Sequence, residues 1–390
     1  MDYKEKALKI HKDNKGKIAV VSKTPLNTKE DLALLYSPGV AEPCKEIHKD
    51  ESLIYDYTAK GNLVAVITDG TAVLGLGDIG PKAALPVMEG KAILFKTFGD
   101  VDAFPICLDT TDTEEIIKTC KLLAPSLGGI NLEDISAPRC IEIERRLKKE
   151  LDIPVFHDDQ HGTAIVSLAA VINSLKIVNK KKENIKVTIS GAGAAGSSII
   201  KMLYNYGIKN IIAVDKFGII NHTDKDSYNF LNKELLEYVN KDNIKGDLET
   251  AINGSDIFIG VSAPNIVTKE MIESMNEDAI VLAMANPIPE IMPELALEAG
   301  AKIVGTGRSD YPNQVNNVSA FPGLFRGALD ARATTINNEM MLAAAYAIAD
   351  FINEEKLSVN NVIPDAMNKD VANAVALAVM EAAIKTNIIR

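Results

Sequence analysis

The sequence predicts an α/β chain in two parts. An N-terminal α/β domain spans residues 1–160, and a doubly wound, Rossmann-type domain with C-terminal helices spans residues 161–390. Three observations carry this reading. Short apolar runs alternate with amphipathic stretches, the pattern of helices packed on a parallel sheet. Ser190-Gly-Ala-Gly-Ala-Ala-Gly196 lies between a strand and a helix, and Asp215 closes the next strand. From Arg326 onward the chain is alanine-rich and helical.

Composition narrows the class. A chain of 390 residues can bury two or three cores, and 47% hydrophobic with 24% charged residues is ordinary for a globular protein. The net charge of -11 argues against a nucleic-acid or anionic-membrane partner. Cys44, Cys107, Cys120 and Cys140 form no C-x-x-C pair and read as reduced packing thiols. Met1 to Lys6 lacks the apolar core of a signal peptide, and Asp69-Gly70 and Gly75 to Asp78 interrupt the longest candidate membrane span. A cytoplasmic, soluble protein is expected.

In chain order, residues 1–35 read as helical and lysine-rich, broken at Thr24-Pro25. Tyr36-Ser-Pro-Gly-Val40 is a turn, where a tyrosine by itself reads as a packing residue. Leu63 to Thr68 is a buried strand ending at Asp69-Gly70, and Val73 to Gly80 is too glycine-rich for a helix. Pro81 removes a donor that a phosphate cradle would want, so this second glycine run reads as a close-approach turn. Lys91 heads an apolar run, either as a snorkelling side chain or as a partly buried amine of lowered pKa able to act as a base. Strands at 104–108, 130–132 and 153–156 flank helices at 112–123 and 138–150. Glu133, Asp134 and Asp159 therefore fall at strand carboxyl ends, where ligands of α/β folds bind.

Three carboxylates from two strand ends suit a hard divalent cation, Mg²⁺ or Mn²⁺; the plainer reading is helix-capping or solvated acids. His157-Asp-Asp-Gln-His161 superficially copies a zinc-protease motif. That motif needs both histidines on one helix, whereas here a strand runs into His157 and the helix is expected to begin near Gly162-Thr163. In the second half, Gly191, Ala192, Gly193, Ala194, Ala195 and Gly196 form the loop that lets backbone approach a pyrophosphate. Asp215 is placed to accept from an adenosine ribose, so NAD is favoured over NADP, with Lys216 as the residue that can reverse this. Ser262 and Asn286 end strands that face a nicotinamide, and Asn317 is a polar loop candidate. The C-terminal helices suit packing, closure over the site or a join between subunits, and a homodimer or higher homo-oligomer is expected.

Together these segments resemble the malic enzymes in their shorter prokaryotic form. The resemblance rests on Tyr36-Ser-Pro-Gly-Val-Ala41, Lys60 to Val64, Thr68 to Thr71, Leu74 to Gly80, Pro86 to Lys91, Gly129 to Asp134, Phe156 to Thr163, Gly191 to Gly196 and Tyr311 to Asn317. It implies oxidation and decarboxylation of L-malate to pyruvate and CO₂ with NAD(P)⁺ and Mg²⁺ or Mn²⁺. By the same resemblance the metal ligands fall on Glu133, Asp134 and Asp159, the base on Lys91 and the acid on Tyr36. Asn286 and Asn317 match the substrate asparagines. For Lys91 to act at neutral pH its amine is expected to be shifted down by roughly 3 units, by desolvation and the nearby cation. One departure is visible: Thr71-Ala72 stand where larger eukaryotic members carry an arginine. A metal-free 2-hydroxyacid dehydrogenase would leave the three carboxylates unexplained, and a non-catalytic NAD-binding sensor would not need Lys91 and Tyr36.

Overall fold

The computed structural model describes residues 3–390. Helices α1 (Tyr3–Asn14), α2 (Lys29–Leu35) and α3 (Ala41–Lys49) form an arm with no buried residue. Strand β1 (Leu63–Thr68), helix α4 (Gly80–Gly99), β2 (Asp102–Cys107), α5 (Thr113–Leu123), β3 (Gly129–Leu132), α6 (Arg139–Glu150) and β4 (Val155–His157) follow. The four strands make a parallel sheet in the order β2-β1-β3-β4. Both faces of β1 are covered, so the uninterrupted apolar run Val64-Ala-Val-Ile67 is what a parallel strand needs. Asp112 caps α5 by accepting from the Glu115 N–H, which starts that helix where its acidic first turn predicts.

The central helix, α7 (Asp158–Val178), departs from expectation. It begins at Asp158, not near Gly162. Two acids in its first turn suit the positive end of the helix dipole. Gly162 is no breaker here, because a Cβ at that position would overlap the Asp158 carboxylate. The same helix is long and apolar enough to cross a bilayer, with mean hydropathy 1.4, yet 72% of that window is buried inside the protein. It is the core helix joining the two halves.

The second sheet takes β5 (Lys186–Ser190), α8 (Ala194–Tyr206), β6 (Asn210–Asp215), β7 (Gly218–Ile219), β8 (Ile257–Gly260), β9 (Ile280–Ala283) and β10 (Ile303–Thr306). Its order is β10-β9-β8-β5-β6-β7, parallel except for the short antiparallel β7. The order reverses at β5, whose carboxyl end carries the glycine loop. Finally α9 (Phe321–Asp330), α10 (Asn338–Asp350) and α11 (Lys369–Lys385) close the chain. Grouped with the second half by sequence, α9 nevertheless returns to the first sheet. Phe95 of α4 meets Phe321 and Phe325 edge-on at ring centroids 4.7 and 5.3 Å apart. All three rings are fully buried, each worth about 1.5–3 kcal/mol, so the two halves share one core.

Candidate active site

Register builds the acidic cluster. Leu132 of β3 pairs with His157 of β4, so the next residues, Glu133 and Asp158, emerge side by side at the carboxyl end of the sheet. Asp134 has left-handed backbone at φ 53°, and its N–H donates to Asp159 Oδ2 at 2.8 Å. Glu133, Asp134 and Asp159 offer carboxylate oxygens that all lie within 4.8 Å of one another. Asn131 Nδ2 donates to Glu133 Oε1 at 2.7 Å, which aims that buried carboxyl.

Lys91 reaches the same place from α4. Its Nζ lies 2.5 Å from Asp158 Oδ2 and 3.0 Å from Glu133 Oε1, with 14% of the side chain exposed. Asn317 donates to the same Asp158 oxygen. The downward shift expected from the sequence needs burial and a nearby cation together; among the protein groups alone, burial lowers the amine but the Asp158, Glu133 and Asp159 carboxylates outweigh burial and hold it above the ordinary lysine value. Burial also raises Glu133 and Asp158, and together with the neighbouring Asp159 it pushes Asp134 up to about 7. Four carboxylates facing one amine repel each other. Asp134 Oδ2 is buried without a hydrogen-bond partner among the described residues. An orphaned carboxylate oxygen inside an over-acidic cluster is what a hard divalent cation satisfies, so the residues fit Mg²⁺ or Mn²⁺.

The cluster opens onto a cleft of about 630 Å³ lined by Asp134, Asp159, Ala194, Ala195, Ser262, Asn286 and Asn317 among others. A second cleft of about 500 Å³ continues past Gly191, Ala192 and Gly193 to Asp215. Gly191 has φ 102°, and a Cβ there would stand 2.6 Å from the Val261 carbonyl; a Cβ at Gly193 would meet nothing within 4 Å. The first glycine makes the turn and the second leaves open space before the N-terminus of α8, a cradle that fits a pyrophosphate. Asp215 accepts from the Phe217 N–H at 2.8 Å and from Asn232 Nδ2 at 2.9 Å.

Two expected features lie elsewhere or differ. Tyr36 is 69% exposed, makes no side-chain hydrogen bond among the described residues and lines neither cleft. His157 ends β4, fully buried, with neither ring nitrogen hydrogen-bonded among the described residues. Burial lowers its pKa, and no zinc-protease pair is formed, since His161 turns instead to Glu144 and Ser198 at 2.8 Å each. Sequence reasoning missed Glu144, which resembles one more acid on a solvated helix face yet is 3% exposed. Burial would raise its carboxyl, but His161 and Lys148 hold it well below the usual range. Sequence reasoning also left Asp158 without a role; its adjacency to Asp159 was the available signal.

Comparison with known proteins decides the family. Residues 15–148 match the malic enzyme N-terminal domain and residues 160–384 the malic enzyme NAD binding domain. The chain belongs to the malic enzymes. It is similar to the bifunctional malic/malolactic enzyme of Bacillus subtilis, at 58% identity over 100% of this chain and 95% of that protein. It is also similar to the NAD-dependent malic enzyme of Geobacillus stearothermophilus, at 59% identity over 96% of this chain and 78% of the other. The crystal structure of malic enzyme from Pyrococcus horikoshii Ot3 superposes with a TM-score of 0.95 at 49% identity, covering 100% of this chain and 92% of that one. As a malic enzyme the protein carries out oxidative decarboxylation of malate with NAD(P)⁺.

Proposed function

We propose that this malic enzyme prefers NAD⁺ to NADP⁺ and holds Mg²⁺ or Mn²⁺ on Glu133, Asp134 and Asp159. In this reading Lys91 is its base, Tyr36 its acid, and Asn286 and Asn317 position malate. Residues 1–160 then supply the metal and catalytic groups and residues 161–390 the cofactor site, a division supported by the family matches ending at 148 and starting at 160. The observation that carries the reading is the convergence of three carboxylates within 4.8 Å beside a buried amine.

When bound, the cation supplies Lewis-acid charge at the substrate oxygens, and the dinucleotide accepts a hydride. The chain's own residues handle the protons. Glu133 and Asp159, once committed to a cation, no longer hold a proton on Lys91. Asp158, at 2.5 Å, remains to take it. The freed amine then removes the proton of the malate C2 hydroxyl. Asn317, hydrogen-bonded to Asp158, fixes that carboxylate's rotamer as well as facing the cleft. After CO₂ has left, the Tyr36 phenol protonates C3 of the enolate. The test is Asp159→Ala. It should lose malate oxidation and the thermal shift given by Mn²⁺, which at 100 times Kd is worth about 2.7 kcal/mol, while cofactor binding stays near normal. Full activity of that variant in excess chelator would overturn the assignment.

A further inference from the structure

We infer that Glu290 is a positioning residue for the nicotinamide end of the cofactor, its buried carboxylate clamping the strand ends that line the larger cleft. This deepens the reading above, in which Asn286 faces malate in the same cleft. Three observations support it.

The carboxylate joins two loops. The chain leaving β8 runs through Ser262 and the chain leaving β9 through Ala285 and Asn286, and all three residues line the cleft. Glu290 Oε1 accepts from the Ser262 N–H at 2.8 Å and from the Ser262 hydroxyl at 3.4 Å. Its Oε2 accepts from the Ala285 N–H at 3.1 Å. The Ser262 hydroxyl also meets that of Ser190, the last residue of β5, at 2.9 Å. One side chain thus ties the ends of β9, β8 and β5, neighbours in the sheet. The two loops are already laced by main chain, because the Asn265 N–H donates to the Pro289 carbonyl and the Val267 N–H to the Glu290 carbonyl, each at 3.0 Å. The carboxylate is therefore not needed merely to close them.

Space for it is reserved. Gly260 ends β8 with Ser190 beside it on one strand and Ala283 on the other. A Cβ there would stand 2.4 Å from Glu290 Cδ and 2.7 Å from both carboxylate oxygens. Gly260 is not among the glycines with left-handed backbone, so no turn asks for it. The carboxylate does.

The charge lacks a counter-ion. Glu290 is fully buried, no cation reaches it among the described residues, and burial raises its carboxyl above the ordinary value despite the N–H donors. A buried acid without a cation costs stability, so a loop fastened for stability alone is better served by a neutral side chain. What a carboxylate does, and an amide does not, is accept on both oxygens at once. Two N–H groups from different loops are thereby held at one spacing. In this assignment that spacing sets Ser262 and Asn286 against the nicotinamide, while the glycine loop holds the pyrophosphate independently.

The test compares NAD⁺ with ADP-ribose, which keeps the adenosine and pyrophosphate but lacks the nicotinamide. Both are titrated by calorimetry into wild type, Glu290→Gln and Gly260→Ala. Glutamine turns an NH₂ group toward one of the two donors; the alanine Cβ displaces the carboxylate and keeps its charge. In both variants Kd for NAD⁺ should rise about tenfold while Kd for ADP-ribose stays within about twofold of wild type. The misplaced cleft wall should lower kcat by about 10²-fold. Equal losses for the two ligands, or failure of both variants to fold, would make Glu290 a prop of the whole domain and overturn the inference. Unchanged NAD⁺ affinity in a folded variant would overturn it as well. Asn286→Ala probes the underlying reading separately and should raise the malate KM by about tenfold. An unchanged KM would remove Asn286 from malate binding and leave the Glu290 result standing.

Discussion

Gly162→Ala sets helix propensity against the geometry of the site. Gly162 lies one turn after Asp158 in α7, and alanine there is the better helix former by about 1 kcal/mol. Its Cβ, however, would overlap Asp158 Oδ1 and stand 3.0 Å from Asn317 Cβ. Asp158 is fully buried, so its carboxylate cannot swing into water. It has to shift against Lys91 and Asn317, the two partners it holds. Charge-assisted hydrogen bonds are worth about 1.5–3 kcal/mol, so losing either in the transition state costs roughly 10- to 150-fold in rate. Overpacking costs about 1–3 kcal/mol, which the propensity gain partly offsets, so Tm should fall by only a few degrees. The assay is steady-state cofactor reduction at saturating malate and Mn²⁺. Because the chain has no tryptophan, cofactor affinity is followed by calorimetry in parallel. The expected result is kcat lowered by about 10² with cofactor affinity unchanged. A variant with wild-type kcat would show that the Asp158 position is not what the missing Cβ protects.

Two further outcomes are expected. Asp215→Ser removes the charge that repels a 2′-phosphate, so the ratio of kcat/KM for NAD⁺ over NADP⁺ should fall about tenfold, or 1.4 kcal/mol; an unchanged ratio would pass the choice to Lys216. Asp102 ties the arm to β2: burial would raise its carboxyl, but Asn62, Lys23 and Lys96 bring it to about 2. Its folded value lies below the unfolded one of about 3.9, so its stabilisation is present above pH 4 and disappears as pH falls toward 2. With the group 27% exposed, this is worth about 1 kcal/mol, and acid titration of Asp102→Asn should show a shallower loss than wild type.

The strands, the glycine loop and the acidic cluster were legible because each leaves a local mark. β1 is an apolar run with a carboxylate after it, and the strand–Gly–helix pattern at 190–196 needs no tertiary information. What was not legible depends on partners distant in sequence. The pKa of Lys91 was read from burial and a nearby cation, without Asp158, which lies 67 residues away and pulls it upward. Glu144 sits in an Arg/Lys/Glu-rich helix whose surface pattern hides that one acid faces His161. The start of α7 was placed late, near Gly162-Thr163, because the strand running into His157 was expected to need a connection, whereas the helix begins at the very next residue, Asp158. Tyr36 matched its motif, and no sequence pattern could show that its segment leaves the body of the chain.

The charge of the cleft gives the missing arginine a chemical sense. Arg139, the guanidinium near Thr71, is taken by Asp69, Thr71 and Ser136, and Arg308 by Asp310. No arginine or lysine lines the cleft. Glu133, Asp134, Asp158 and Asp159 against Lys91 and a divalent cation leave one net negative charge before malate adds two more. In the proposed reading, binding is carried by the cation at one end of the substrate and by neutral amides, Asn286 and Asn317, at the other. The carboxylate that departs as CO₂ gives its electrons up to C3 in the transition state. A cation fixed on that group would stabilise the ground state more than the transition state and slow the step. Amides orient it without that cost, so a cleft poor in cations suits decarboxylation.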